Sequence, residues 1–324
     1  MSKQTDNSYV TVSGLTKRFG DLVAVDNLEF TVRTGEIFGF LGPNGAGKST
    51  TLNIISTLLD YDKGDIRIAG HDLRREARAI KSLIGLVPQE IALFPTLTAQ
   101  ENVSYFAGLY GLGGSQRKQA VAEALEFVGL AEQAKKRAGK MSGGQQRRLN
   151  IACGISHDPQ LIILDEPTVG VDAQSREHIM DSIRTLRDRG ATIIYTSHYM
   201  PEVQEICDRI AIIDHGKLVG IGTEAELLAV VTDVKSIVVE LEPQAGLAIE
   251  GITDKLGLLP DVRRVIADAD GSQLRIDVDL AFSDITPLVK VLMEAGVRVR
   301  SFNNEAPDLE STFLALTGRE LRQG

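Results

Sequence analysis

The feature that most constrains this chain is a glycine-rich loop that follows a short apolar segment. The loop fits the pattern G-x-x-x-x-G-K-[ST], and its residues are Gly42, Pro43, Asn44, Gly45, Ala46, Gly47, Lys48, Ser49 and Thr50. Residues 36–41 before it predict a buried strand, and residues 49–59 after it predict a helix. A strand, a glycine loop and a helix in this order let backbone N–H groups converge on phosphate oxygens. The sequence therefore predicts a loop that binds the phosphates of a nucleoside triphosphate.

Two side chains of this phosphate loop have predicted roles of their own. We expect Lys48 to reach the β- and γ-phosphates and the Ser49 hydroxyl to ligate Mg²⁺. The alternative is a glycine-rich turn that matches the pattern by chance, and the flanking strand and helix disfavour it.

Length, charge and hydropathy limit the classes of protein to which the chain can belong. At 324 residues it is long enough for two domains, and its net charge of −9 disfavours nucleic acid as the main partner. Cys153 and Cys207 are its two cysteines and lie far apart, so neither a disulfide framework nor a zinc site is expected. No apolar run approaches the roughly 20 residues that span a bilayer. We expect a soluble protein of the reducing cytoplasm without a signal peptide, so that membrane-spanning helices would come from another chain.

Alternating strand and helix patterns predict the fold class. Residues 161–164 and 191–196 are short apolar runs typical of parallel strands buried on both faces, with a helical segment, 173–189, between them. This alternation predicts an α/β fold built on a doubly wound, mainly parallel sheet. Strand-like segments around a turn at Gly20 predict an antiparallel β subdomain ahead of the phosphate loop, and the region at about 90–158 predicts a helical subdomain.

The pattern changes after about residue 230, where half-exposed strands and amphipathic helices follow. The apolar positions of these two strands and two helices are Ile237, Val239 and Leu241; Leu274, Ile276, Val278 and Leu280; Val289, Leu292 and Met293; and Leu309, Thr312, Phe313 and Leu316. We therefore expect a flexible tail at 1–8, a nucleotide-binding domain at 9–230 and a small C-terminal α+β domain at 233–324.

Two adjacent carboxylates, Asp165 and Glu166, follow the apolar run at 161–164. At the carboxyl end of a strand they would face the nucleotide crevice of an open α/β sheet. Asp165 can hold a hydrated Mg²⁺, and Glu166 can accept a proton from an attacking water. An acidic strand cap is the alternative, and it would be favoured if this segment stood alone.

Three further segments carry polar groups at the starts or ends of predicted elements. The run Ser142, Gly143, Gly144 and Gln145 opens a helix, where serine can cap the end and bare glycines let a phosphate approach the first N–H groups. Gln89 follows a strand-like segment and can reach a metal or a water through its amide oxygen. His198 follows another and can hydrogen-bond a γ-phosphate. Each of these segments usually has a structural role when it occurs alone. Their order along the chain is what favours a functional interpretation.

Taken together, these segments resemble the nucleotide-binding subunit of an ATP-binding cassette (ABC) transporter over about residues 8–230. The shared elements, in the order of the family, are the phosphate loop at 42–50, Gln89, the signature Ser142 to Gln145, Asp165 and Glu166, Gly170-Val171-Asp172, and His198. The resemblance implies a P-loop NTPase core that binds ATP and Mg²⁺ and hydrolyses ATP.

The same resemblance implies roles for individual residues. The catalytic residues would be Glu166, His198 and Gln89. The Mg²⁺ ligands would be Ser49, Gln89 and Asp165. ATP would be bound by the phosphate loop, by the signature Ser142, Gly143, Gly144 and Gln145, by Asp172, and by Phe19, which matches the aromatic residue that stacks on adenine.

The family also implies partners. Its signature serves the phosphate bound by the opposite subunit, so a homodimer would sandwich ATP and drive separate permease subunits, on the cytoplasmic face of the cell membrane. A permease contact is expected near Glu90 to Glu101. The segments 36–41 and 308–319 further resemble the ATPases of bacterial and archaeal drug and ion exporters, among them the daunorubicin exporter, which favours export.

The rival class is a soluble ABC-type ATPase that acts on nucleic acid or ribosomes. The basic cluster at 135–137, with Arg147 and Arg148 beyond it, could contact phosphate, although solvated helix faces are the commoner reason for such clusters. Ribosome-bound members of the family usually hold two cassettes in one chain, whereas this chain has one phosphate loop and one signature. These observations therefore disfavour nucleic acid as a partner.

Overall fold

The structure is a computed structural model that describes residues 7–229, 234–242, 249–268, 271–279, 281–305, 309, 312–313 and 317. The described residues divide into two compact units, unit 1 ending at Glu224 and unit 2 beginning at Ala225. This division lies slightly before the boundary expected near residue 230, and the predicted limits 9–230 and 233–324 stay predictions. Of the predicted tail at 1–8, residues 1–6 lie outside the described residues. Ser8 already belongs to the first strand, so that part of the prediction is wrong.

Unit 1 contains ten strands and seven complete α-helices among its described residues. The strands are β1 (Ser8–Phe19), β2 (Leu22–Arg33), β3 (Ile37–Leu41), β4 (Lys63–Ile68), β5 (His71–Asp72), β6 (Ile84–Val87), β7 (Leu161–Asp165), β8 (Thr192–Thr196), β9 (Arg209–Asp214) and β10 (Lys217–Gly222). The helices are α1 (Lys48–Ile55), α2 (Ala77–Leu83), α3 (Ala99–Leu109), α4 (Gly114–Phe127), α5 (Gly143–Ile155), α6 (Ala173–Asp188) and α7 (Met200–Ile206).

The antiparallel subdomain is confirmed as a four-stranded sheet of order β2-β1-β4-β5. Val10, Val12 and Leu15 of β1 are buried and belong to the hydrophobic core beneath this sheet. The predicted turn at Gly20 joins β1 to β2, and its φ of 58° is one that glycine adopts without strain.

The doubly wound, mainly parallel sheet is also confirmed. Its six strands have the order β10-β9-β3-β8-β7-β6, and β10 is the one antiparallel member. β3 and β8 are buried along their whole lengths, as continuous apolar runs predict. Because the carboxyl ends of parallel strands meet at one edge, the segments that follow β3, β6, β7 and β8 gather there.

Helices α3, α4 and α5 follow β6 and precede β7, in the region where a helical subdomain is expected. The first helix is shorter than predicted, because α1 ends at Ile55 and not at Leu59. Thr57 has a φ of 63°, and the N–H groups of Leu58 and Leu59 both donate to the Asn53 carbonyl. The chain therefore leaves the helix in a left-handed turn although the apolar pattern continues.

Unit 2 has the predicted α+β composition, with more elements than the sequence indicated. Its described elements are α8 (Glu224–Ala229), which starts at the unit boundary, β11 (Val234–Leu241), α9 (Ile249–Gly257), β12 (Val262–Ala267), β13 (Gln273–Asp279), α10 (Thr286–Glu294) and β14 (Val299–Glu305). The sheet has the order β12-β13-β11-β14, with every pair antiparallel.

Two predictions in unit 2 are wrong. Met293 is 72% exposed, and Leu288 is the residue that joins Leu292 in the core. β11 is not half-exposed, because Ser236 and Val238 are buried as well as the three predicted apolar positions.

The predicted last helix is described only in part. Leu309, Thr312 and Phe313 are helical and buried, while Leu316, like Leu280 of the predicted strand, lies outside the described residues. Among the residues that the structure describes, no helix is long and apolar enough to cross a membrane.

Candidate functional site

The phosphate loop joins the end of β3 to the start of α1 and depends on its glycines. A Cβ on Gly42 would lie 2.4 Å from the carbonyl oxygen of Ile213. Gly47 has a φ of 100°, and a Cβ there would lie 2.5 Å from the carbonyl oxygen of Ala24. Gly45 has a φ of 83° and open space around it. Two of the glycines are therefore required by close backbone packing, and the third by conformation.

The Lys48 side chain folds back over this loop. Its Nζ donates to the carbonyl oxygens of Gly42 at 2.6 Å and Pro43 at 3.2 Å, and the residue is buried. Burial lowers the pKa of Lys48, and the nearby carboxylates of Glu166 and Asp165 act in the opposite sense. The predicted lysine and the two predicted carboxylates thus lie in one electrostatic environment.

Thr196 of β8, the strand next to β7, holds the Asp165 carboxylate and the Glu166 backbone. The Thr196 hydroxyl donates to Asp165 Oδ1 at 2.6 Å and accepts the Glu166 backbone N–H at 3.0 Å. Glu166 is buried and has a φ of 47°, a left-handed conformation that a residue with a Cβ seldom adopts. Thr196 thus fixes the backbone of Glu166 in this conformation directly after β7.

The three predicted catalytic side chains meet at one oxygen. Gln89 Nε2 donates to Glu166 Oε2 at 3.1 Å, and His198 Nδ1 lies 3.2 Å from the same oxygen. Gln89 follows β6 and His198 follows β8, on either side of β7, which precedes Glu166. The sequence predicted that these residues act together, and the sheet order brings them into contact.

Two residues of α5 hold the loop of Gln89, and the sequence reasoning did not find their role. Arg147 Nη1 donates to the carbonyls of Pro88 at 3.1 Å and Gln89 at 2.7 Å. Asn150 Oδ1 accepts the Ala92 N–H at 3.3 Å. Arg147 is buried, which lowers the pKa of its guanidinium, so assigning it to a solvated basic face is wrong. The sequence carried no local signal for this role, because buried residues are spread around α5 without a distinct apolar side.

The signature begins α5 with a capping box. The Ser142 hydroxyl accepts the Gln145 backbone N–H at 3.3 Å, and Gln145 Oε1 accepts the Ser142 N–H at 3.2 Å. Gln145 Oε1 also accepts a hydrogen bond from Lys136 Nζ at 3.1 Å. Serine therefore caps this helix as predicted, and the Gln145 amide is engaged in the same cap.

The two signature glycines differ in what surrounds them. A Cβ on Gly143 would meet its nearest neighbour, the carbonyl oxygen of Gly170, at 3.9 Å, whereas one on Gly144 would lie 2.1 Å from Ser175 Oγ. Gly144 is thus required by packing against α6, and the expectation that both glycines let a phosphate approach stays a prediction. Asp172 caps α6, accepting the Ser175 N–H and hydroxyl at 2.9 Å each, and these bonds lower its pKa.

Phe19, Ser49 and Thr50 complete the predicted nucleotide-binding residues. Phe19 is the last residue of β1, its side chain is 48% exposed, and Lys17 Nζ lies 5.1 Å from the ring centroid. Ser49 is exposed in the first turn of α1, with Thr50 beside it partly buried. An exposed ring and an exposed hydroxyl are accessible to a ligand, and their roles stay predictions.

Comparison with known proteins identifies the family. The family model described as "ABC transporter" matches residues 25–169. The linearmycin resistance ATP-binding protein LnrL of Bacillus subtilis is 41% identical over 95% of this chain and 98% of its own length. The daunorubicin resistance ATP-binding protein DrrA3 of Streptomyces coeruleorubidus is 37% identical over 97% of each chain.

A solved structure agrees with the sequence relatives. A dimeric ATP-binding cassette in a post-hydrolysis state, bound to ADP and Pi, has a TM-score of 0.60 and 28% identity over 66% of this chain and 98% of that chain. These comparisons give no support to an ATPase that acts on nucleic acid or ribosomes. The phosphate loop, the carboxylates beside it and the relatives lead to one conclusion. This chain belongs to the family of ATP-binding, ATP-hydrolysing subunits of ABC transporters.

Proposed function

We propose that two copies of this chain close around two ATP molecules and that the resulting movement powers export through a separate membrane permease. The observation that carries the proposal is the meeting of Gln89 and His198 at Glu166 Oε2. A buried carboxylate with two polar neighbours, next to a phosphate loop, suits the activation of a water for phosphoryl transfer. The chain would work on the cytoplasmic face of the cell membrane.

ATP would be held by one cassette through the phosphate loop. Backbone N–H groups within residues 44–50, which include the start of α1, surround the phosphates, and Lys48 exchanges its carbonyl partners for phosphate oxygens. Adenine stacks on the exposed Phe19 ring. The remaining loop side chains give the backbone its shape and make no further charged contact.

The residues present fit a bound Mg²⁺. Ser49, Asp165 and Gln89 offer hydroxyl, carboxylate and amide oxygens, the hard donors that Mg²⁺ prefers, and Thr196 fixes one oxygen of Asp165. When bound, the ion would neutralise charge on the phosphates. Few protein ligands are needed, since Mg²⁺ usually keeps several waters and phosphate oxygens.

Hydrolysis would depend on Glu166 and its two neighbours. Glu166 accepts a proton from the attacking water, Gln89 orients that water, and His198 hydrogen-bonds the γ-phosphate. The contact between His198 Nδ1 and Glu166 Oε2 keeps the His198 ring next to the general base. The buried position of Glu166 limits the bulk water around the reacting atoms.

The signature would serve the nucleotide of the opposite copy. A γ-phosphate held by Lys48 still exposes oxygens on its far side, and the N-terminus of α5, with Ser142 and Gly143, can cover them. Asp172 lies beside this end of α5, because it accepts the N–H of Ser175 and Ser175 packs against Gly144. Bound ATP then favours the closed dimer, and hydrolysis removes that preference.

The cargo would be chosen by the permease, which would contact this chain near Glu90 to Glu101. The relatives are named for resistance to linearmycin and daunorubicin. Drug export is therefore the transport that we propose. A membrane protein that copurifies with this chain would identify the permease.

Glu166→Gln tests the proposal, because glutamine keeps the shape of the side chain but cannot accept the proton. We expect the variant to bind ATP, to lose about 10²–10⁴ in rate, and to accumulate as a closed dimer. Size-exclusion chromatography with ATP, beside a phosphate-release assay, reads both outcomes. Hydrolysis at the wild-type rate would refute Glu166 as the base, and a monomer with intact ATP would refute the sandwich.

A second substitution separates the dimer from ATP binding itself. Adding Ser142→Arg to Glu166→Gln places a bulky cation where the signature would contact the opposite phosphate. We expect the ATP-bound dimer to disappear while each monomer still binds ATP. Persistence of the dimer would show that the signature does not form that contact.

A further inference from the structure

Glu202 of α7 is a buried carboxylate that gathers side chains from several elements. It is 2% exposed. Its Oε2 accepts hydrogen bonds from the hydroxyls of Thr168 and Tyr195, each at 2.7 Å, and of Ser197 at 3.2 Å. Its Oε1 lies 3.1 Å from Nε of Arg176. Both oxygens are therefore engaged by groups that lie outside α7.

Two of these partners belong to the segments that carry the site. Thr168 lies two residues after Glu166, in the segment between β7 and α6. Ser197 directly precedes His198, and its hydroxyl also accepts the Tyr199 N–H at 2.9 Å. That bond closes a tight turn with His198 at its centre. One carboxylate oxygen thus holds both the segment of Glu166 and the turn of His198.

The other two partners of Glu202, Tyr195 and Arg176, hold its carboxylate in place. Burial and the nearby Glu202 carboxylate raise the pKa of Tyr195 well above its usual value. The phenol therefore stays protonated and donates a hydrogen bond to Glu202. Arg176 lies in the first turns of α6, just after the cap residue Asp172. Glu202 therefore anchors the segment from Glu166 to Asp172 near both of its ends. Three hydroxyls that converge on one buried carboxylate oxygen favour a single arrangement of the groups around it.

We propose that Glu202 is a positioning residue for ATP hydrolysis, and that it sets the distance between the Glu166 carboxylate and the His198 ring through Thr168 and Ser197. This inference rests on the proposed roles of Glu166 and His198. It assigns no contact between Glu202 and the nucleotide. ATP binding depends on the phosphate loop and is expected to be independent of Glu202.

Glu202→Gln in the full-length chain is the direct test. An amide cannot accept from the three hydroxyls with one end and face Arg176 favourably with the other, because one end is an NH₂ group. At a temperature where circular dichroism shows a fully folded protein, we expect kcat to fall about tenfold or more and the Kd for ATP to stay unchanged. An unchanged kcat in an active wild-type background would overturn the inference alone. An inactive wild type would instead overturn the proposed function.

Glu205→Gln is the matched control on the same helix. Its carboxylate is 57% exposed and pairs with Arg184, so it contacts neither segment of the site. We expect kcat to stay at the wild-type value. An equal loss in both variants would show that α7 responds to any lost carboxylate, and would overturn the specific role of Glu202.

A double-mutant cycle separates positioning from a general structural effect. In a His198→Ala background the Glu166–His198 distance no longer matters, so Glu202→Gln should lower kcat far less than it does in the wild type. A full, additive loss in that background would overturn the inference.

If Glu202→Gln fails to fold, Thr168→Val and Ser197→Ala decide the question, because each removes one of the two hydroxyls. We expect each folded variant to lose kcat and to keep its ATP affinity. Full activity in both would overturn the inference.

Discussion

The α-carbon of Gly144 lies against the side chain of Ser175, so closely that a Cβ at position 144 would come within 2.1 Å of Oγ and 2.7 Å of Cβ. This contact packs the start of α5 against the start of α6 within one chain. The two helix ends that carry Ser142 and Asp172 are therefore fixed to each other before any nucleotide or second copy takes part.

Gly144→Ala should destabilise unit 1 by about 1–3 kcal/mol, because the added methyl overpacks this contact. Gly143→Ala is the control, since a Cβ there meets its nearest neighbour only at 3.9 Å. Urea denaturation followed by circular dichroism measures both variants. Equal stability of the two would show that α6 yields to the methyl group at no cost.

Lys48→Ala should abolish tight ATP binding, because Lys48 is the cation of the phosphate loop. Two lost charge-assisted hydrogen bonds of about 1.5–3 kcal/mol each imply an affinity loss of about two to four orders of magnitude. Isothermal titration with ATP and Mg²⁺ measures it. Lys63→Ala, which removes an exposed lysine of β4, is the control for charge. Wild-type affinity in Lys48→Ala would remove this loop from the site.

The His157 ring stacks on Tyr110, with centroids 3.4 Å apart, and its Nε2 lies 3.0 Å from the Ile84 carbonyl oxygen. Its Nδ1 is buried without a hydrogen-bond partner among the described residues. A proton there would have no hydrogen-bond acceptor among the described residues, and burial lowers the pKa of His157 from 6.5 to about 4 although Asp158 acts in the opposite sense.

Acid should therefore destabilise the fold through His157. Between its ordinary pKa and the lowered one, the unfolded chain binds a proton that the folded chain does not, so stability falls as the pH falls through that window. The loss reaches about 3 kcal/mol near pH 4. His157→Phe keeps a flat ring against Tyr110 and cannot titrate. The unfolding free energies of wild type and variant should thus diverge as the pH falls, and parallel pH profiles would contradict this.

A chain that ends at Ala229 should keep its ATPase activity if it folds and dimerises, because each proposed site residue, the positioning residue Glu202 included, lies before residue 203. Phosphate release by the truncated and full-length chains, at matched folded concentration, measures this. Complete loss of activity in a folded, dimer-competent truncation would show that unit 2 contributes to the site.

The sequence predicted the segments of the site well because each is local. The phosphate loop follows from its own spacing, and the meeting of Gln89, Glu166 and His198 follows from the rule that parallel strands end at one edge. Arg147, Gly144 and Glu202 escaped because their roles depend on partners far away in the chain. Arg147 donates to a carbonyl 58 residues away, and Glu202 accepts from a threonine 34 residues away. Such contacts leave no periodic signal along the chain.

The left-handed backbone of Glu166 sets the stability of the fold against its activity. For a residue with a side chain, such as glutamate, a φ of 47° costs about 1–3 kcal/mol. Two hydrogen bonds from the Glu166 N–H to Thr196 hold the backbone in this conformation. Glycine would adopt this conformation without strain. A selection for thermostable variants that measured only the melting temperature would therefore tend to replace Glu166. It would yield a more stable protein that no longer hydrolyses ATP.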